Sequence, residues 1–264
     1  MTMQPESTRS ATLPREALRL AGVHGKYLLL ETMRVPIAVI SALAFPALAL
    51  LFFVVPQEVV AGNPLYATQA VISLAVFAVM SNSLFSFGLG IAEDREKPWD
   101  PYLRTLPVPG VSRVLGYVFS TGLIGLVAVL PVIAIGGIFT AAEASVWGIL
   151  GGLLAIVVSA LPFMLIGVCV GYSLPAKAAI AVVQIVMFGF AFAGGLFLPP
   201  LMFAPWLDTL STFFPSRQAR ELVIWAVQGG DLHPWVWLGM LAWIVGTAAL
   251  ALLLFRRDEG RRFR

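Results

Sequence analysis

Glu93-Asp94-Arg95-Glu96-Lys97-Pro98-Trp99-Asp100-Pro101-Tyr102-Leu103-Arg104-Thr105-Leu106-Pro107 is a dense charged stretch set between two long apolar runs. Its neighbours make it decisive. All 17 Lys and Arg residues lie outside the apolar runs, and 15 fall on one side of the membrane those runs imply. Arg9, Arg15, Arg19, Lys26 and Arg34 precede the first run. Arg95, Lys97, Arg104 and Arg113 separate the second from the third, and Lys177 the fourth from the fifth. Arg256, Arg257, Arg261, Arg262 and Arg264 end the chain, while the alternate loops hold only Arg217 and Arg220. Positive charge stays cytoplasmic when a membrane protein inserts. The reading is an all-α membrane protein of six spans with both termini inside.

Composition agrees. Hydrophobic residues make up 59% and charged residues 12%, with mean hydropathy +0.90; a soluble domain carries roughly 25% charge. The net charge of +3 is small and gathered in loops. It reads as topology, not as a nucleic-acid footprint. Cys169 is the single cysteine, which excludes an intrachain disulfide and a thiolate cluster. The first run begins too late and is too long for a cleaved signal peptide, so the chain is expected to be mature from its start.

A spanning helix needs about 20 apolar residues. The spans are placed at residues 35–55, 66–91, 114–139, 146–172, 178–198 and 235–255, with a kink at Pro46. None carries a charge at its centre, which argues against an ion-coupled transporter. Trp147, Trp206, Trp225, Trp235 and Trp237 fall at the outer boundary, where an aromatic belt is expected. The small-residue pairs Ser86/Gly90, Gly167/Gly171 and Ala191/Gly195 suit close helix packing, within the chain or between two copies.

Three segments do not span. Residues 1–34 form a cytoplasmic N-terminus. In it Leu13, Ala17, Leu20, Ala21 and His24 repeat at helical spacing, and Arg15, Arg19 and Lys26 line another face. That pattern predicts an amphipathic helix on the membrane surface. Gly22, Gly25 and Lys26 do not make a phosphate loop, because Tyr27 stands where Ser or Thr is needed. The second segment is the loop 92–113. Pro98 and Pro101 suit the first turn of a short helix that Pro107 ends. Trp99, Tyr102, Leu103 and Leu106 make an i, i+3, i+4, i+7 stripe, and Asp100 can pair with Arg104. Either this helix lies on lipid headgroups or it docks a cytoplasmic partner. The mixed charge of Glu93, Asp94, Arg95, Glu96 and Lys97 favours docking, since anionic lipid selects Lys and Arg. The third segment, 199–233, holds two short amphipathic stretches that read as a hairpin dipping into the outer leaflet. Ser216 is expected to cap its second helix, whose buried face is Ala219, Leu222, Val223 and Ala226. The basic tail is 256–264.

No catalytic set is present: there is no H-E-x-x-H and no G-x-S-x-G. No metal site is expected.

The chain resembles the permease subunits of the ABC-2 family of exporters. The residues that carry the resemblance are Ile91-Ala92-Glu93-Asp94-Arg95-Glu96-Lys97 through Leu106-Pro107-Val108-Pro109. Gly194-Gly195-Leu196-Phe197-Leu198-Pro199, then Pro205-Trp206-Leu207 and Phe214-Pro215, form a second block. Pro98-Trp99 stand where the family usually has Gly-Thr. The resemblance implies a plasma-membrane exporter of hydrophobic or amphiphilic molecules, drug-like or lipid-like. It implies pairing with a second permease copy or a similar permease, and ABC ATPase subunits that bind ATP and Mg outside this chain. The N-terminal helix would be the family's connecting helix, and residues Glu93 to Leu106 would couple to the ATPase. The substrate path would run along the second and fifth spans. There Asn82 and Gln184 are read as the amides of the spans, with Phe85 and Phe188 on the same faces. The structural alternative is that both amides bond across helices. Rival classes are a secondary transporter or channel with no ATPase partner, and a scaffold protein without flux.

Overall fold

The structure, a computed structural model, describes residues 13–34, 36–98 and 110–261. The described residues form helices joined by short turns and connections, with no strand among them. Helix α1 covers Leu13–Met33 and α2 covers Pro36–Ala49, which continues as a π-helix over Leu50–Val54. A short α3 (Glu58–Ala61) leads into α4 (Pro64–Glu96). Helices α5 (Gly110–Phe139), α6 (Val146–Ser173) and α7 (Ala176–Ala193) follow. A 3-10 turn at Pro200–Met202 precedes α8 (Pro205–Ser211) and α9 (Pro215–Gln228), and α10 (Pro234–Arg261) ends the described chain.

Five of these helices, α4, α5, α6, α7 and α10, are long and apolar enough to cross a membrane. The remaining expected span, 35–55, forms α2 and its π extension. Pro46 stays inside the helix, and the departure from α geometry falls one turn later, at Leu50–Val54.

Helix α4 is the centre of the bundle. In its most apolar stretch 72% of residues are buried, against 17% in α10. Asn63 starts it by accepting from the Leu65 and Tyr66 amides at 3.0 and 3.4 Å, and Pro64 occupies the first helical position. Lys97 ends it in an extended conformation, as a residue before proline prefers. Phe77, Met80, Leu84 and Phe87 are fully buried on it.

Glycine lets α6 lie directly against α4. A Cβ at Gly167 would stand 2.8 Å from the Phe87 Cβ, and one at Gly171 2.8 Å from the Phe87 carbonyl oxygen. The Gly167/Gly171 pair is therefore spent on packing within the chain. The Ala191/Gly195 pair is not a helix pair at all. Helix α7 stops at Ala193, and Gly195 turns the chain at φ +77° against Pro200.

Helix α1 packs on α5 where Gly25 meets Gly116. Ala21 and Gly25 are buried there, whereas Leu20, expected on the same face, is 38% exposed. In the hairpin, Ala219, Leu222 and Val223 are buried as their spacing predicts. Ser216 does not cap α9. Pro215 takes the first helical position after Phe214, and the Ser216 hydroxyl donates instead to the Phe190 carbonyl of α7 at 2.7 Å. Trp147, Trp206, Trp225 and Trp237 are exposed.

Candidate functional site

The charged cluster expected in a loop is instead the last turn of α4. Nothing before Pro98 breaks the helix, so it continues through Glu93, Asp94, Arg95 and Glu96. Their side chains turn back onto other helices. Arg95 donates through Nη1 to the Gly171 and Leu174 carbonyls at 2.7 and 3.4 Å, satisfying carbonyls that the end of α6 leaves open. Its Nη2 meets Asp258 Oδ1 of α10 at 2.7 Å, and the guanidinium lies 5.7 Å from the Tyr172 ring centroid. Glu96 Oε1 accepts from the Ala176 amide at 2.9 Å, placing a carboxylate on the N-terminus of α7. Asp94 accepts from the Tyr117 hydroxyl of α5 and pairs with Lys97 Nζ at 2.6 Å. That hydrogen bond holds the Lys97 ammonium above its ordinary range. Lys97 also approaches Glu31 of α1 at 3.9 Å. Glu93 is exposed. The end of α4 thus collects the ends of α1, α5, α6, α7 and α10. Trp99, Tyr102, Leu103, Arg104 and Leu106 lie outside the described residues.

The two path amides do not share a lining. Asn82 is buried and donates to the Thr121 carbonyl of α5 at 2.9 Å, beside Gly125. Gln184 is exposed on α7. That helix faces α4 through Val183, against Gly88. Phe85 is half-buried against the core, and Phe188 is 38% exposed beside Gln184. Asn82 meets the description of an interhelical bond; Gln184 looks away from its own bundle.

The expected second span holds a further amide, Gln69. Gln69, in the first turns of α4, accepts from Arg220 Nη2 at 3.2 Å, and Ser73 accepts from Arg220 Nε at 2.9 Å. Glu221 Oε1 lies 2.9 Å from Arg220 Nη1 and 3.0 Å from Arg217 Nε. Arg220 is 5% exposed, so charge enters the bundle from the hairpin although no span carries it. A buried cation persists only when paired and hydrogen-bonded. The signal available in the sequence was a basic residue on the buried face of Ala219, Leu222 and Val223.

Comparison with known proteins now decides the family. The model of the ABC-2 type transporter matches residues 25–227. The chain belongs to the ABC-2 type transporter family. It is a multi-pass membrane protein of a family of transmembrane transport subunits that normally work with ABC ATPases. It is also 21% identical over 159 residues to "Putative transport permease YvfS" of Bacillus subtilis (strain 168). That match takes in 60% of this chain and 65% of the relative's length. The family match begins within α1 and ends in the hairpin, so the end of α4 and the Arg220 cluster lie inside it, whereas Asp258, the hub's contribution from α10, lies beyond it.

Proposed function

We propose that this chain is the permease of an ATP-driven ABC exporter in the plasma membrane, carrying hydrophobic or amphiphilic molecules out of the cytoplasm. ATP and Mg belong to a separate ATPase subunit, which docks on the segment following α4. A second permease, identical or similar, completes the path. Helix α2 with its π extension, 19 residues from Pro36 to Val54, makes the sixth span. Both termini then lie in the cytoplasm.

The observation that carries this reading is the hub at Arg95 and Glu96. The stripe Trp99, Tyr102, Leu103 and Leu106 begins two residues after Lys97, directly beyond the hub. A push on that segment is delivered to α4. Through Asp258, Gly171 and Ala176 it also reaches α10, α6 and α7. Rigid transmission to several helices is what a switch between inward- and outward-facing packings requires. Transport follows if the two packings differ in affinity for the cargo. Gln184 and Phe188, on the outward face of α7, are the residues of this chain we place on the path.

The test is co-purification with candidate ABC ATPases of the same cell, followed by ATP hydrolysis in liposomes with and without the permease. Complex formation and stimulated hydrolysis support the reading. Gradient-driven flux without any ATPase would instead establish a secondary transporter.

A further inference from the structure

At the end of the bundle opposite the hub lies an apolar cleft of ≈ 210 Å³ between α4, α5, α6 and α9. Ile72, Val129, Ile156 and Val223 wall it. For comparison, an engineered apolar cavity of roughly 150 Å³ stays dry and admits benzene. Gly137, Glu143 and Ala144, also on its wall, are exposed, so the cleft opens there. Glu143 is its one charged wall residue. The Glu143 backbone is held in place on α4: its amide donates to Thr68 Oγ1 at 3.0 Å, and Thr68 in turn donates to the Pro64 carbonyl at 2.7 Å. The carboxylate has no recorded ion pair among the described residues.

We propose that this cleft binds an amphiphile by its hydrocarbon chain, with a protonated amine headgroup against the Glu143 carboxylate. Three features of the cleft select that class. The wall is apolar and offers a chain no unsatisfied polar group to bury. The cleft lies between helices long and apolar enough to cross a membrane, where amphiphiles are concentrated, and its mouth is at the connection from α5 to α6. The single charge at the mouth is negative, so it attracts an ammonium and repels a sulfate or carboxylate. An ethanolamine phospholipid and a free alkylamine present the same chemistry. The site stands within one chain and does not depend on the transport reading or on the path residues of α7.

Photo-labelling tests it. The protein in phosphatidylcholine nanodiscs is irradiated with a diazirine-bearing C14 alkylamine, its alkyl sulfate counterpart, or an ethanolamine phospholipid carrying the diazirine in its acyl chain. Labelled residues are mapped by mass spectrometry. The amine or the ethanolamine lipid is expected to label cleft-wall residues in preference to the sulfate; whichever does so identifies the source. Gly137→Leu should strip that labelling, since a Cβ there meets nothing within 4 Å and the side chain grows into open space without disturbing the fold. Glu143→Gln should lower amine labelling roughly two- to fivefold, the range of a partly exposed ion pair, and leave sulfate labelling no lower. Labelling spread evenly over the exposed apolar faces, or unchanged in both variants, overturns the site. Equal labelling by amine and sulfate overturns the ammonium assignment.

Discussion

Arg95 Nη2 lies 2.7 Å from Asp258 Oδ1, across 163 residues of chain. This contact ties the end of the central helix to the end of the last one. Asp258 is 8% exposed at its side chain and Arg95 20%. Removing the arginine takes away the guanidinium that stands 2.7 Å from a buried carboxylate. Loss of one partner from a fully buried pair costs about 3–5 kcal/mol, and partial exposure of Arg95 brings the expected figure to about 1–3 kcal/mol. Arg95→Ala should therefore lower thermal stability in detergent, and Arg95→Ala with Asp258→Ala should cost less than the two single losses added. Strict additivity would show that the pair is not coupled.

Coupling to the ATPase is expected to depend on the apolar stripe beyond the hub. Trp99→Ala together with Leu103→Ala should leave membrane insertion intact. Loss of a buried aromatic anchor costs about 2 kcal/mol, roughly 30-fold in affinity. Affinity for the ATPase and permease-stimulated ATP hydrolysis should both fall. Unchanged values for both would return the segment to the lipid surface.

The topology can be read by cysteine accessibility in a background with Cys169 replaced. Asp231→Cys and Lys177→Cys both place the thiol on exposed residues at opposite ends of the bundle. An impermeant maleimide added outside intact cells should modify Asp231→Cys and spare Lys177→Cys. These positions are preferable to neighbouring glycines such as Gly230, whose φ of +95° a side chain would strain. Reversed labelling would invert every role given to the loops.

Asn82 and Gln184 are expected to respond differently to leucine. Asn82→Leu removes the bond to the Thr121 carbonyl and should lower stability by about 0.6 kcal/mol, up to roughly 1.7. Gln184 is exposed and has no recorded partner to lose, so Gln184→Leu should leave the melting temperature unchanged. An export or resistance assay should show an altered substrate profile for Gln184→Leu alone. A profile unaffected by Gln184→Leu removes that residue from the path.

The sequence by itself determined the class of molecule. Long apolar runs must bury their backbone hydrogen bonds within helices, and the placement of Lys and Arg carries orientation information. Helix α6 starts at Val146, where hydropathy places its span, and α4 at Pro64, just ahead of the expected residue 66, because Asn63-Pro64 and Ser145 supply the caps. The face of Ala219, Leu222 and Val223 was legible because helical periodicity needs no knowledge of neighbours. Partner choice was not legible. A charged cluster followed by proline reads as a loop until Asp258, Gly171 and Ala176 are brought within reach from distant positions. Ser216 reads as a cap until Phe190 offers a carbonyl. The two path amides look equivalent until packing sends Asn82 toward α5 and leaves Gln184 outside. Gln69, Ser73 and Arg220 have no joint signal in a linear chain, since 147 and 151 residues separate the arginine from its partners. Local propensity and hydropathy are short-range properties of a chain. The pairing of polar side chains depends on which helices meet, and only the tertiary fold decides that.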